Sequence, residues 1–131
     1  MSFVPGIVVD SSVLIDHLRG AATATEFLGR ERRRGPVLVP SLVAWELWKG
    51  AAPPRQRSGV QELLTALDAD PFGPAMAQLA GELHVRLRGA GRTPPVFDLL
   101  IASHALFHGL PLATLDRDYG GIPGVEVVRV A

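Results

Sequence analysis

The chain has 131 residues, a length that suits one compact domain, and its 47% apolar and 20% charged residues exclude an intrinsically disordered polymer. Its 13 basic and 13 acidic residues cancel, so no global basic field announces nucleic acid, and attraction to phosphate has to come from local clusters or a bound metal. Cysteine is absent, which removes disulfides, thiolate catalysis and cysteine-based zinc sites and leaves oxygen and imidazole as metal ligands.

The start, Met1-Ser2-Phe3-Val4-Pro5-Gly6, lacks the basic residues and apolar run of a signal peptide. No stretch of about 18 apolar residues occurs beyond it, so a cytoplasmic protein without a membrane span is expected. Ile7-Val8-Val9, β-branched and bounded by Gly6 and Asp10, predicts a buried strand of a parallel sheet with Asp10 at its C-terminal end. Ser11 and Ser12 can cap a helix carrying Val13, Leu14, Ile15 and Leu18, which Gly20 stops; a second helix is expected from about Thr23 to Arg33. Val37-Leu38-Val39 reads as a strand, and Pro40-Ser41 lead into a third helix that contains Glu46 and ends near Gly50.

The segment from Ala51 to Gly59, with Pro53-Pro54, reads as a polar break. Beyond it, Val60 to Leu67 predicts a helix, Leu67 to Ala69 a short strand, and Pro74 to Arg88 an amphipathic helix. Pro94-Pro95 precede an apolar stretch from Val96 to Leu106, whose length predicts a buried helix with Asp98 in its first turn. Leu110 to Thr114 forms a strand leading to Asp116, and Val125 to Val128 the last one. Strands alternating with helices indicate an α/β sandwich with a mostly parallel sheet.

In open α/β sheets ligands gather outside the carboxyl ends of the strands, which singles out Asp10 and Asp116. Each acid also has an ordinary structural explanation. Asp10 can cap a helix, Asp98 can offset a helix dipole, and Asp116 and Asp118 can be turn residues paired with Arg117. Glu46 is harder to explain in that way, because it lies between Trp45 and Leu47 on a helix face expected to be partly buried, where a lone carboxylate needs a partner. Acids at strand ends and helix starts throughout the chain suit a hard cation with oxygen ligands, magnesium or manganese. The histidines, His17, His84, His104 and His108, are scattered without a partner at ligand spacing and read as structural or surface residues.

Four segments carry a family resemblance. Ile7-Val8-Val9-Asp10-Ser11-Ser12-Val13-Leu14-Ile15-Asp16 resembles the opening strand and acidic turn of PIN domains, and the segment from Val39 to Gly50 around Glu46 resembles their second motif. Phe97-Asp98-Leu99-Leu100-Ile101-Ala102-Ser103-His104-Ala105 is similar to the third, and Leu112 to Tyr119 to the fourth. The motifs stand in family order over nearly the full chain, and the compact length is most similar to VapC-type toxin ribonucleases of bacterial type II toxin–antitoxin pairs.

That resemblance implies a PIN-like α/β/α sandwich with a mostly parallel central sheet, residues 1–131 forming one domain. It implies a magnesium-dependent endoribonuclease, with manganese as substitute, that cleaves RNA and inhibits translation and growth. Asp10, Glu46, Asp98 and Asp116 would be the acidic quartet, both catalytic and metal-holding. Many relatives carry asparagine in the place of Asp116, which makes Asp118 a second candidate for the fourth position. Ser11 and Thr114 match supporting polar residues of the first and fourth motifs. The implied partners are an RNA substrate, a cognate VapB-type antitoxin and a second copy of the chain, with no membrane.

Phosphodiester cleavage needs a nucleophile near neutral pH and neutralisation of developing charge, and magnesium can supply both. An acidic pocket repels phosphates, so Arg19, Arg55, Arg57 and Arg117 are candidates for guiding RNA at its rim. Trp45 and Trp48 read as core or interface residues, where the resemblance implies contact with an antitoxin helix or a second subunit. A phosphoacceptor receiver domain would need a lysine at the end of a late strand, but Lys49, the only lysine, falls on the third helix. A catalytically silent PIN-like module that binds RNA or protein is the remaining alternative, separable by metal-dependent cleavage.

Overall fold

The computed structural model describes residues 5–115, 119 and 121–130. Among these residues five strands, β1 (Ile7–Val9), β2 (Val37–Pro40), β3 (Asp68–Asp70), β4 (Leu112–Thr114) and β5 (Val127–Arg129), form one sheet in the order β3-β2-β1-β4-β5. Every pairing is parallel, as the alternation of elements predicts. Among the described residues six helices flank it: α1 (Ser11–Leu18), α2 (Ala22–Arg34), α3 (Ser41–Lys49), α4 (Pro54–Ala66), α5 (Pro74–Gly89) and α6 (Val96–His108). β1 is central and covered on both faces, which explains why all three of its residues are apolar and buried. The chain leaves β1 toward β2 on one side and returns to β4 on the other. The topological switch point of the sheet therefore lies outside the carboxyl ends of β1 and β4.

The structure corrects the expected elements in five places. The segment expected as a polar break is half helix, because α4 begins at Pro54. Proline at the first helical position sacrifices only an N–H that has no intrahelical partner, and Arg57 N–H already donates to Pro53 O at 3.0 Å. β3 lies one residue later than expected, β4 starts only at Leu112, and β5 occupies Val127–Arg129 rather than Val125 to Val128. The first helix is capped by Asp10 itself, not by the serines, whose positions are already helical. Asp116, Arg117 and Asp118 lie outside the described residues.

α6 packs its middle against the core, with Leu99, Ile101, Ala102, Ser103, His104 and Ala105 buried and Asp98 in the first turn as predicted. The Ser103 hydroxyl is satisfied by donating back to Leu99 O at 2.8 Å. One turn apart at the far end, His104 Nδ1 and His108 Nε2 lie 2.6 and 2.8 Å from the two oxygens of Asp70, at the end of β3. These two histidines are thus not scattered: spacing of four residues puts both on one helix face, and Asp70 joins them. This cluster ties α6 to the edge of the sheet.

His104 is fully buried, and among the described residues its Nε2 has no hydrogen-bond partner. Burial pushes its pKa below the usual histidine value, and the bond to Asp70 opposes that shift without reversing it. Protonation would leave a second N–H without an acceptor in apolar surroundings, so the neutral ring is the folded form. The unfolded chain binds the proton more readily, so this stability is present above a pH of about 6.5, the ordinary histidine value, and is lost as pH falls. Thermal melting of the parent should therefore decline between pH 7.5 and 5.5. In His104→Gln that decline should be shallower, whatever the variant's absolute stability; an equal slope would assign the acid sensitivity to other groups.

Candidate active site

Asp10 emerges from β1 and stands 3% exposed at the switch point. Its N–H extends the ladder to Ala113 O at 3.0 Å, and its Oδ1 accepts from Ser12 N–H at 3.0 Å, which makes it the N-cap of α1. The Ser12 hydroxyl donates to the same oxygen at 2.5 Å and accepts from Leu115 N–H at 3.1 Å. Since its single proton goes to Asp10, the contact with Thr114 Oγ1 at 3.4 Å has Thr114 as donor. Tyr119 donates its hydroxyl to Asp10 Oδ2 at 3.1 Å. The cap reading and the site reading of Asp10 are therefore compatible, because a carboxylate at a strand end that starts a helix can serve both.

Glu46 reaches the same place from the middle of α3, half-buried, and Asp98 from the first turn of α6. Asp10, Glu46 and Asp98 line one cavity of about 270 Å³ together with Ser11, Trp45, Lys49, Phe97 and Tyr119. Glu46 also borders a second cavity of about 430 Å³ between α1, α3 and α4, which Arg19 and Arg55 line. Arg57 is directed elsewhere: it bonds Ala51 O at 3.2 Å and its guanidinium lies 4.9 Å from the Trp48 ring centre. Of the supporting residues, Thr114 is fully buried behind Asp10, and Ser11 lines the acid cavity.

Three participants escape the sequence reading. Ser12 rather than Ser11 bonds Asp10, a distinction that depends on which hydroxyl points back across the β1–β4 crevice. Tyr119 lies in the fourth motif, yet nothing local reveals that its hydroxyl meets a residue 109 positions earlier. Lys49 enters the cavity because it is one turn from Trp45 and near Glu46 on α3, a spacing that is legible in the sequence.

The donor set is all oxygen and suits a hard cation. Among the described residues no group of three or more His, Asp or Glu side chains is disposed to hold a metal as it stands. Magnesium does not require such a cage, since it commonly keeps several waters and takes only one or two carboxylates. The cavity fits it on those terms. Among the described residues, no helix is long and apolar enough to cross a membrane.

A parallel sheet whose switch point gathers acids from its central strand and two helices is the architecture of the PIN domain, whose family model matches residues 7–124. The chain belongs to that family. It is 36% identical over 110 residues to ribonuclease VapC10 of Mycobacterium tuberculosis strain H37Rv, covering 84% of this chain and 82% of the relative. Among solved structures it resembles DNA-bound VapBC from Salmonella typhimurium, with a TM-score of 0.86 and 22% identity over 98% of this chain and 100% of that one. VapBC2 from Rickettsia felis, bound to a promoter DNA fragment, gives a TM-score of 0.85 and 21% identity over 95% and 98%. The VapC20 sarcin–ricin loop cleaving toxin of Mycobacterium tuberculosis gives 0.70 and 19% over 94% and 98%.

The double duty of Asp10 separates two substitutions. In metal-free buffer, Asp10→Ala should lose about 1 kcal/mol of unfolding free energy through the missing cap, whereas Asp10→Asn, which keeps an acceptor for Ser12 N–H, should stay within about 0.5 kcal/mol of the parent. Urea denaturation measures both. Equal losses would show that charge, not capping, carries the contribution of Asp10 to stability.

Proposed function

We propose that the chain is a magnesium-dependent endoribonuclease, the toxin of a VapBC-type pair, which cleaves RNA in the cytoplasm and thereby inhibits translation and growth. The observation that carries this reading is the meeting of Asp10, Glu46 and Asp98, from three separate elements, around one cavity at the switch point. Family membership and the likeness to VapC10 support it. Asp116, with Asp118 beside it, completes the acidic set in this proposal, and residues 1–131 act as one PIN domain.

Magnesium or manganese, when bound, supplies positive charge to the phosphate oxygens and activates water for in-line attack. Asp10 is the anchor of the set, its orientation held by Ser12 and Tyr119 and by the helix it starts. Glu46 and Asp98 project from the rigid frames of α3 and α6, so the negative charge is positioned before substrate arrives. Lys49, Arg19 and Arg55 guide phosphates toward this negative region, Lys49 from the acid cavity itself. Arg117 is a further candidate, while the ties of Arg57 to Ala51 O and Trp48 make it the weakest of the four arginines.

The cavity between α1, α3 and α4 is lined by the apolar side chains of Ile15, Leu18, Leu47 and Val60 and by Arg19 and Arg55. An amphipathic segment of a VapB-type antitoxin is its proposed occupant, and a homodimer is the proposed assembly. Solved neighbours with the same fold are VapBC complexes, which favours a partner of that kind.

Two measurements test the enzyme reading. Purified parent should cleave RNA with magnesium and not with chelator, and Asp98→Asn should lose measurable cleavage and growth inhibition while melting close to the parent. Binding without metal-dependent cleavage by the parent would favour the silent PIN-like module instead. Magnesium at a hundred times its dissociation constant should stabilise the parent by about 2.7 kcal/mol by mass action, and Asp98→Asn by clearly less. An unchanged increment in the variant would remove Asp98 from the metal site.

A further inference from the structure

Tyr119 is 3% exposed and belongs to the hydrophobic core, and its carbonyl accepts from Ile122 N–H at 2.9 Å. Core packing therefore fixes where its hydroxyl ends, which is 3.1 Å from Asp10 Oδ2, among the residues that line the acid cavity. A carboxylate offers about four acceptor positions, two on each oxygen. On Asp10, Ser12 takes both positions of Oδ1, through its N–H at 3.0 Å and its hydroxyl at 2.5 Å, and Tyr119 takes one position of Oδ2. Ser12, together with the ladder bond from Asp10 N–H to Ala113 O, holds the carboxylate in place from one side. Tyr119 acts on the other oxygen, the one with an acceptor position left for a cation.

We propose that the Tyr119 hydroxyl is a placeholder for the cation: it satisfies Asp10 Oδ2 in the metal-free protein, competes with magnesium or manganese for that oxygen, and so keeps cation affinity low enough for exchange. The proposal rests on the metal-dependent reading of the site and adds a residue that sets how tightly the metal is held. An ionised group as buried as Asp10 is costly with an oxygen left unsatisfied, so a donor is needed whenever no cation is bound. The same donor draws electron density from Oδ2, and a contact that is stronger in the metal-free than in the metal-bound protein lowers metal affinity by the difference. A neutral hydroxyl suits this role better than a lysine or arginine would. It donates one hydrogen bond without bringing a charge that repels the cation, so the bond can be weakened or given up as the carboxylate takes the metal. The ring serves the core, and the hydroxyl is the part that reaches the site.

The test compares the full-chain parent with Tyr119→Phe, which keeps the ring in the core and loses only the hydroxyl. Manganese binding to chelator-treated protein without RNA, followed by loss of the free-ion electron paramagnetic resonance signal, should tighten in the variant on the order of tenfold, or about 1.4 kcal/mol. The metal-free melting temperature should fall, because Asp10 Oδ2 has lost its donor, and saturating manganese should bring the two proteins closer together. In an Asp10→Asn background, Tyr119→Phe should leave manganese affinity unchanged, since the charge on which the hydroxyl acts is gone. Tyr119 is the only tyrosine of the chain, so incorporation of 3-fluorotyrosine changes this hydroxyl alone. The electron-withdrawing fluorine makes it a stronger donor, and manganese binding at neutral pH should weaken, a second readout that does not depend on how well the phenylalanine variant folds. Tighter manganese binding by Tyr119→Phe with no RNA cleavage by either protein would support the proposal while overturning the ribonuclease reading. Equal manganese affinity in parent, Tyr119→Phe and fluorinated protein, or no binding by any of them, would overturn the proposal. Weaker binding by Tyr119→Phe would also overturn it and leave the hydroxyl as an aid to the orientation of Asp10.

Discussion

A carboxylate sealed at the end of the central strand is the constraint around which this molecule is arranged. Asp10 is almost completely removed from water, and an ionised group in that position is tolerable only if each oxygen is given partners. Ser12, through both N–H and hydroxyl, and Tyr119 provide them. Those partners in turn dictate the local path of the chain: α1 must start directly after β1, and the Ser12 hydroxyl must face Thr114, at the end of β4, and Leu115 just beyond it. The contacts that stabilise the charge also fix the crevice in which it stands. Fold and site are therefore not separable at this point.

Much of this is readable from the residues, and the reasons differ by element. β1 and α6 declare themselves through apolar runs of lengths that suit a buried strand and a buried helix. The acids Asp10 and Asp98 can be assigned to a strand end and a first helix turn from their neighbours alone, and Glu46 to a helix interior. Their meeting in one cavity does not follow from spacing, because it depends on the sheet order that sets α3 and α6 beside the end of β1. Only the ordered resemblance supplies that step. Pro53-Pro54 is ambiguous because proline punctuates a chain equally well as a breaker and as a first helical residue, and the downstream residues decide between the two.

The cluster of Asp70, His104 and His108 is hidden in the sequence for a different reason. Two of its members share a helix face, but the third lies 34 residues before His104, on a strand whose apolar signal points one residue too early. Asp70 ends the strand and is buried, while Asp68 is exposed and accepts from Val37 N–H at 3.2 Å. A shift of the strand by one residue decides whether Asp70 belongs to it at all, and the histidines find their partner only when it does. α6 consequently carries an acid of the candidate site at one end and a fixed attachment to the sheet edge at the other, and the rigidity of a continuous helix links the two.

The place of β3 in the strand order has a consequence for assembly. It forms one border of the sheet, only three residues long, with the sequence Asp-Ala-Asp. A bare strand border invites another chain to dock by main-chain hydrogen bonding, which is the route to open-ended stacking and insoluble aggregates. Here the border is too short to register a neighbour and carries an exposed carboxylate, Asp68, that a second copy would repel. Growth of the sheet from one molecule into the next is disfavoured on that side. Association there has to be made through side chains on helix surfaces, where closed and finite complexes are the natural outcome.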